Sequence, residues 1–181
     1  ENYDIDGIQY DDYFYPTTDA SFDEAAYKQY CDGTEKPMSQ SDWRRCQVNL
    51  LVSGTHQLVE QYDGVVFGIS PSADIQKNYD SYYADVAAWV AGEYVDYLCP
   101  QLYFGFNYPD QAFGFEKLLS DWKRVSETIP LYIGLASYKV GQTDAGSNEW
   151  VTETDLLARQ TDCAVNFSVD GIVLYRYTSL F

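Results

Sequence analysis

Short apolar segments alternate with longer amphipathic segments along the chain, and this alternation constrains the fold more than any other feature. Five segments have the length and apolar character of strands, and helical patterns lie between them. The strands are predicted at Gly7–Asp12 and in VVFGISP, VDYLCPQLYFGF, PLYIGLASY and DGIVLY. Continuous apolar strands are typical of parallel sheets that are buried on both faces by helices. The alternation therefore predicts an α/β fold built on a parallel sheet.

The helical segments carry local start signals. SDWRRCQVNLLVSGTHQLVEQYDG predicts a helix that Ser41 caps, and DSYYADVAAWVAGEY predicts a helix from Asp80. FEKLLSDWKRVSET predicts another helix. In TETDLLARQTDCAVNF, Thr152 is the predicted N-cap and Asp155 follows three residues later. A shorter helix is predicted in SFDEAAYKQY, within the polar and aromatic stretch from Tyr13 to Gln40.

Two architectures satisfy this order of elements. One is an open, doubly wound sheet, and the other is part of a (β/α) barrel, which needs about 250 residues for eight repeats. The chain has 181 residues, the length of one domain or of a large part of one. No glycine-rich phosphate-binding motif follows a strand, so the usual signature of a nucleotide-binding doubly wound fold is missing.

Charge and composition exclude several classes of partner and cofactor. The 28 acidic and 11 basic residues give a net charge of -17, which argues against nucleic acid and anionic membrane surfaces. No apolar run is long enough to cross a membrane. A single histidine and four cysteines without Cys-x-x-Cys spacing predict no metal site and no cofactor. Cys31 and Cys46 flank a loop and are candidates for a disulfide.

Polar and aromatic residues collect where the predicted strands end. In parallel α/β folds the carboxyl ends of strands carry the functional groups. Amide, hydroxyl and aromatic groups hydrogen-bond sugar hydroxyls and stack on sugar rings, and the chain has 18 tyrosines. The candidate substrate-binding residues are Gln9, Tyr13, Ser70, Gln101, Tyr103, Asn107, Tyr138 and Tyr175. Acyl transfer is poorly supported, because the only histidine, His56, lies within a predicted helix.

Two adjacent carboxylates, Asp11 and Asp12, end the first predicted strand. Glycoside hydrolysis needs two carboxyl groups, and Asp11 and Asp12 are the catalytic candidates. Side chains alternate along a strand, so the two point in opposite directions. If Gln9 and Asp11 face the site, Asp12 is a supporting residue, and Asp74 or Asp110 could supply another carboxyl group. The competing interpretation is that both aspartates cap the following loop.

The Trp43-Arg44-Arg45 run also has two interpretations. An arginine at the rim could bind a carboxylate on the substrate. Alternatively, the tryptophan lies in the core and both arginines pair with acidic neighbours. The large excess of negative charge favours the second interpretation.

Read in order, these segments resemble consecutive motifs of the bacterial glycosyl-hydrolase-like family 10. The motifs are YDIDGIQYDDYFYP, DWRRCQVNLLV, FGISP, VDYLCPQLYF and LYIGLASYKVG, and they span nearly the whole chain. The resemblance implies a TIM-barrel fold in which the first strand here is strand four and the later ones are strands five to eight. Residues 1–181 would then form one barrel segment that is incomplete on its N-terminal side.

The resemblance also implies an activity. Asp11 and Asp12 match the acidic pair of strand four, and Gln101 and Tyr103 match the strand-six motif, although Phe104 stands where tryptophan is common. The implied function is hydrolysis of glycosidic bonds in a polysaccharide or oligosaccharide, with bacterial cell-wall glycan as the expected substrate. The expected location is extracellular or in the cell envelope. Two alternatives stay open: a non-catalytic carbohydrate-binding module, and an inactive half-barrel that associates with a second copy through open sheet edges.

Overall fold

A computed structural model describes residues 3–11, 13–144 and 146–180, and shows parallel strands alternating with helices. The strands are β1 Gly7–Tyr10, β2 Val66–Ile69, β3 Tyr97–Leu98, β4 Tyr132–Ala136 and β5 Gly171–Tyr175. The α-helices are α1 Glu24–Asp32, α2 Gln40–Val59, α3 Ile75–Ser81, α4 Val86–Ala91, α5 Phe115–Val125, α6 Glu149–Thr152 and α7 Leu156–Asn166. Short 3-10 turns lie at Ala20–Asp23, Gln111–Phe113, Ser137–Lys139 and Tyr177–Ser179.

The described strands form two small parallel sheets whose order follows the chain. One sheet has the order β1-β2-β3 and the other pairs β4 with β5. Isolated parallel bridges connect β3 and the residues after it to the β4 region, between Leu98 and Leu131 and between Gln101 and Gly134. The Gly134 N–H donates to the Pro100 carbonyl at 3.0 Å. The predicted parallel α/β class is therefore confirmed.

One face of the sheets packs against the helices and forms the core. Phe67, Ile69, Leu98, Ile133 and Leu135 project from β2, β3 and β4 and are fully buried. They pack in one cluster with side chains from α2, α4 and α5, namely Val52, Trp89, Leu119 and Trp122. Burying each such side chain contributes about 1.5–3 kcal/mol. This apolar face therefore fixes where the polar ends of the strands lie.

The opposite face of the sheets is only partly covered. The Tyr97 ring lies against Gly68, where an added Cβ would be 2.1 Å from the ring. Val66 and Val173, on the same face, are 43% and 44% exposed. On the helix-facing side of the edge strand β1, Ile8, which pairs in register with Phe67, is exposed as well. The prediction that every strand is buried on both faces is therefore wrong for β1, β2 and β5, which carry these exposed side chains.

Two predicted helix starts differ from those in the structure. Helix α2 is capped by Ser39 and not by Ser41, because the Ser39 hydroxyl accepts a hydrogen bond from the Asp42 N–H at 3.1 Å. Thr152 ends α6 instead of capping the next helix, and α7 begins after Asp155.

The segment predicted as one helix from Asp80 contains a break. It is divided between α3, which Asp74 caps, and α4, which Asp85 caps. The cysteines that were candidates for a disulfide, Cys31 and Cys46, are free thiols. None of the helices in the described ranges combines the length and apolar character that a membrane span requires.

Candidate functional site

Gln101, in the segment that follows β3, connects several of the predicted site residues. Its Nε2 donates to Asp11 Oδ1 at 2.7 Å and to the Ser70 carbonyl at 3.2 Å. Its Oε1 accepts a hydrogen bond from the Tyr13 hydroxyl at 2.7 Å. Gln101 is only 9% exposed, whereas Asp11 is exposed. Residues that are distant in sequence therefore meet at the carboxyl ends of β1, β2 and β3.

Three further predicted residues form an aromatic cluster at the carboxyl ends of β3, β4 and β5: Tyr103, Tyr138 and Tyr175. We call this group the tyrosine cluster, and the side of the sheets on which the strands end the carboxyl edge. Tyr103 stacks on Tyr175 with ring centroids 5.9 Å apart. Tyr138 meets both rings edge-on, at 6.0 Å from Tyr103 and 5.9 Å from Tyr175. Tyr138 is 40% and Tyr175 is 42% exposed, so both rings are open to solvent. Such rings offer an apolar face for stacking and a hydroxyl for hydrogen bonding.

The charge of Asp11 affects the pKa values of neighbouring tyrosine and cysteine side chains. Burial, followed by the Asp11 charge, raises the pKa of Tyr103. The same two causes raise the pKa of the Cys99 thiol to about 11. Burial, then Tyr82 and Asp11, raise the pKa of Tyr13. These hydroxyl and thiol groups therefore stay neutral near pH 7.

Tyr82 is a residue of this region that the sequence interpretation missed. Its ring stacks on Tyr13 at 5.1 Å with an interplanar angle of 15°. The Lys77 Nζ lies 5.2 Å from the centroid of the Tyr82 ring. Tyr82 lies between α3 and α4, in a segment that was predicted to be helical, so nothing in the pattern indicated a position near a strand end.

Asp144 is a second carboxylate at this edge that was not predicted. The Lys139 Nζ donates to Asp144 Oδ2 at 2.6 Å and to the Tyr103 carbonyl at 2.8 Å. Burial, followed by the Asp144 charge, raises the pKa of Tyr138. Asp144 therefore lies beside the tyrosine cluster. It is in a loop eight residues after β4 ends, where strand periodicity gives no information.

The remaining predicted residues have other contacts. Gln9 Oε1 accepts a hydrogen bond from the Tyr97 hydroxyl at 3.1 Å. Ser70 is buried, and its carbonyl binds Gln101. The Asn107 backbone N–H donates to Glu149 at 3.1 Å. Asn107 thus belongs to a loop that the buried Glu149 carboxylate holds.

The other candidate carboxylates are accounted for as follows. Asp74 caps α3 by accepting from the Lys77 N–H at 3.0 Å. Asp110 caps a 3-10 turn by accepting from the Ala112 N–H at 3.0 Å. Asp12, the second member of the predicted catalytic pair, lies outside the described residues. Within the described ranges, no group of three or more His, Cys, Asp and Glu side chains is arranged to hold a metal ion.

A buried ion pair anchors the segment that follows β1. Arg44, 1% exposed, donates to both carboxylate oxygens of Asp23, at 2.6 and 2.9 Å. It also donates to the Asp19 carbonyl at 2.7 Å and to the Tyr83 hydroxyl at 2.9 Å.

The interpretation of the Trp43-Arg44-Arg45 run as structural is confirmed. Trp43 is buried, and Arg45 pairs with Asp42 at 2.6 Å. Neither arginine contributes a free guanidinium to the edge with the tyrosine cluster, because both are engaged with acidic side chains.

Comparison with known protein sequences identifies the family of this chain and several relatives. The glycosyl hydrolase-like 10 family matches residues 1–152. The chain belongs to this family. It is 35% identical over 162 residues to glycosyl hydrolase YngK of Bacillus subtilis (strain 168), an alignment that covers 77% of this chain and 31% of that protein. It is 30% identical over 197 residues to glycosyl hydrolase DigH of Escherichia coli (strain K12), which covers 96% of this chain and 44% of that protein. The resemblance seen in the sequence motifs is thus confirmed, and the chain spans less than half the length of both relatives.

Proposed function

We propose that this chain is part of a glycoside hydrolase that cleaves a polysaccharide or oligosaccharide, with Asp11 at the reacting centre. One observation carries the proposal: the exposed Asp11 carboxylate is held by Gln101 at the edge that bears the tyrosine cluster. A carboxylate beside open aromatic rings combines a reactive acid with a surface for sugar rings. Family membership supports the same reaction class.

We propose the role of base or nucleophile for Asp11. A carboxylate can act in either way, and the Gln101 amide holds this one by a hydrogen bond of 2.7 Å. A second, protonated carboxyl group must then donate a proton to the leaving oxygen. Asp12, Asp74 and Asp110 were the candidates from the sequence, and Asp144 is a further candidate because its charge acts on Tyr138.

The tyrosine cluster is the proposed sugar platform. Tyr138 and Tyr175 present exposed rings, and their hydroxyls can form hydrogen bonds with sugar hydroxyls. We propose bacterial cell-wall glycan as the substrate. The proposed location is extracellular or in the cell envelope, because that substrate lies there.

We further propose that the strands described here correspond to strands four to eight of a TIM barrel. Neighbouring strands in a barrel follow chain order, as they do here, whereas a doubly wound sheet reverses its order at a switch point. Apolar side chains are exposed beside the edge strand β1: Ile8 is 38%, Leu51 53% and Leu58 56% exposed. A preceding β/α unit of a closed barrel would bury them.

The activity is tested in the full-length protein by release of reducing ends from purified cell-wall glycan. We expect Asp11→Asn to lower the rate by about 10²- to 10⁴-fold, the usual contribution of acid–base catalysis. Asp110→Asn is the matched control, because asparagine also caps a helical turn and Asp110 makes such a cap. Equal rates for wild type and Asp11→Asn would contradict the assignment.

A second candidate function is carbohydrate binding without cleavage. The contact of Lys139 with Asp144 at 2.6 Å favours it, because the carboxylate beside the tyrosine cluster is already engaged within the protein. Glycan binding that yields no product, and that Asp11→Asn leaves unchanged, would support this candidate over hydrolysis.

A further inference from the structure

We propose that Gln101 is a positioning residue that holds Asp11 in place, and that the Tyr13 hydroxyl fixes the direction of the Gln101 amide. The proposal rests on the proposed function of the site. It replaces the prediction from sequence that Gln101 binds the sugar directly, because both ends of its amide are already used within the protein.

The partners of Gln101 all require the same amide orientation. The Ser70 carbonyl can only accept, so it must face the NH₂ end, and it lies 3.2 Å from Nε2. The Tyr13 hydroxyl then donates to the oxygen end at 2.7 Å, and the second N–H points to Asp11 at 2.7 Å. Reversal of the amide would place its oxygen against both the Ser70 carbonyl and the Asp11 carboxylate. The surroundings therefore present a donor to Asp11.

The backbone of Gln101 is itself fixed between its neighbours. Its N–H donates to the Pro71 carbonyl at 3.0 Å, and parallel bridges connect it to Ser72 and Gly134. A Cβ added at Gly134 would lie 3.4 Å from the Gln101 Cα and 3.1 Å from the Pro100 carbonyl. Groups held on rigid elements keep a reactive side chain in its productive position.

Tyr13 is supported from its other side. Its ring stacks on Tyr82, so the hydroxyl reaches Gln101 from a ring that has its own partner. A chain of contacts thus runs from Tyr82 through Tyr13 and Gln101 to Asp11. Phenylalanine at position 13 would keep the stack and remove only the hydroxyl.

A carboxylate in place of the Gln101 amide provides a direct test. In Gln101→Glu the new side chain would face the Asp11 carboxylate and the Ser70 carbonyl, and two facing carboxyl groups retain a proton between them. The titratable groups that interact electrostatically around Asp11, Tyr13 and Tyr103 are Asp11, Tyr13, Tyr82, Cys99, Tyr103, Tyr138 and Tyr175. Tyrosine and cysteine titrate mainly above pH 8, so a signal between pH 4 and pH 8 reports the carboxyl pair.

The experiment is urea unfolding of the full chain from pH 4 to pH 8 for wild type, Gln101→Glu and Gln57→Glu. Gln57 is an exposed residue of α2 and serves as the matched control. The folded variant holds a proton that the unfolded chain releases near the ordinary glutamate pKa of about 4.3. Its folding constant relative to wild type should therefore fall by up to tenfold for each pH unit above that value, until the retained proton is lost. We expect the stability of Gln57→Glu to vary with pH in parallel with wild type. A Gln101→Glu curve that also runs parallel to wild type would overturn the proposal.

A double-mutant cycle keeps the test decisive if Gln101→Glu does not fold. We expect Tyr13→Phe to lower the folding constant about fivefold in the wild-type background and to have almost no effect in Gln101→Met, because its hydroxyl then has no amide to orient. Equal losses in both backgrounds would contradict the role of Tyr13. These stability measurements need no glycan, so a protein without hydrolase activity would refute the proposed function and leave this result intact.

In the full-length protein, activity separates positioning from sugar contact. Tyr13→Phe should lower kcat and leave KM unchanged, because the amide would orient Asp11 less well without touching the sugar. A raised KM with unchanged kcat would instead assign Tyr13 to direct binding and overturn its positioning role.

Discussion

Asp11 and Asp23 are only twelve residues apart in the sequence, but their carboxylates differ in exposure and in their hydrogen-bond partners. Asp23 is bound by the Arg44 guanidinium, the Tyr15 hydroxyl and the Gln40 amide, and its side chain is 11% exposed. Asp11 is exposed and accepts a hydrogen bond from the neutral amide of Gln101. Because a cation and two further hydrogen-bond donors bind Asp23, its role is structural. A neutral amide donates to Asp11, and this exposed carboxylate is the one that we propose acts on a substrate.

Removal of the cation that pairs with Asp23 should change stability more than any other substitution considered for these carboxylates. Arg44→Met removes the cation and leaves a carboxylate unpaired in a nearly closed environment. We expect a loss of about 3–5 kcal/mol in the free energy of unfolding, measured by urea denaturation. Asp11→Asn should change that free energy by less than about 1 kcal/mol, because it alters one exposed hydrogen bond. Similar losses for the two variants would remove the distinction drawn between the two carboxylates.

The pH dependence of stability gives a second test of the ion pair between Asp23 and Arg44. Burial opposes ionisation of Asp23, but hydrogen bonds from Arg44, Tyr15 and Gln40 outweigh it and lower the pKa of Asp23. Its contribution is therefore present above the ordinary aspartate pKa of about 3.9 and is lost as pH falls through the lower folded value. In Arg44→Met, burial without the cation raises that pKa, so the deficit relative to wild type should shrink between pH 5 and pH 3. A deficit that is constant over this range would contradict the ion-pair account.

A smaller effect, on glycan binding, is expected at the tyrosine cluster beside Asp11, which we propose binds the sugar. Tyr138→Ala removes an exposed ring of the tyrosine cluster and should weaken glycan binding about tenfold, or about 1.4 kcal/mol, with little change in stability. Tyr62→Ala is the control, because Tyr62 is 49% exposed and lies in the turn that follows α2. Isothermal titration with cell-wall oligosaccharides measures both. Equal weakening by the two variants would count against the cluster as the binding surface.

Much of the candidate site could be predicted because strand periodicity and parallel topology bring strand ends together. Asp11, Gln101 and Tyr103 were each identified from their position after an apolar run, and the structure brings them to one edge. Asp144 and Tyr82 were not found, because they lie in loops whose positions depend on tertiary contacts.

The break between α3 and α4 shows how tertiary contacts override a local pattern. Tyr83 lies in the left-handed region with φ 54°, which is uncommon for a residue other than glycine. Its ring is buried and its hydroxyl accepts from Arg44, a residue 39 positions earlier. No helical periodicity near Asp80 carries that information.

A structure of the full-length protein carrying Asp11→Asn, with a bound cell-wall oligosaccharide, tests whether Asp11 lies at the reacting centre. We expect a sugar ring stacked on Tyr138 or Tyr175, with a glycosidic oxygen or anomeric carbon next to residue 11 and no contact with the Gln101 amide. A sugar bound at another surface, with the tyrosine cluster empty, would contradict this expectation.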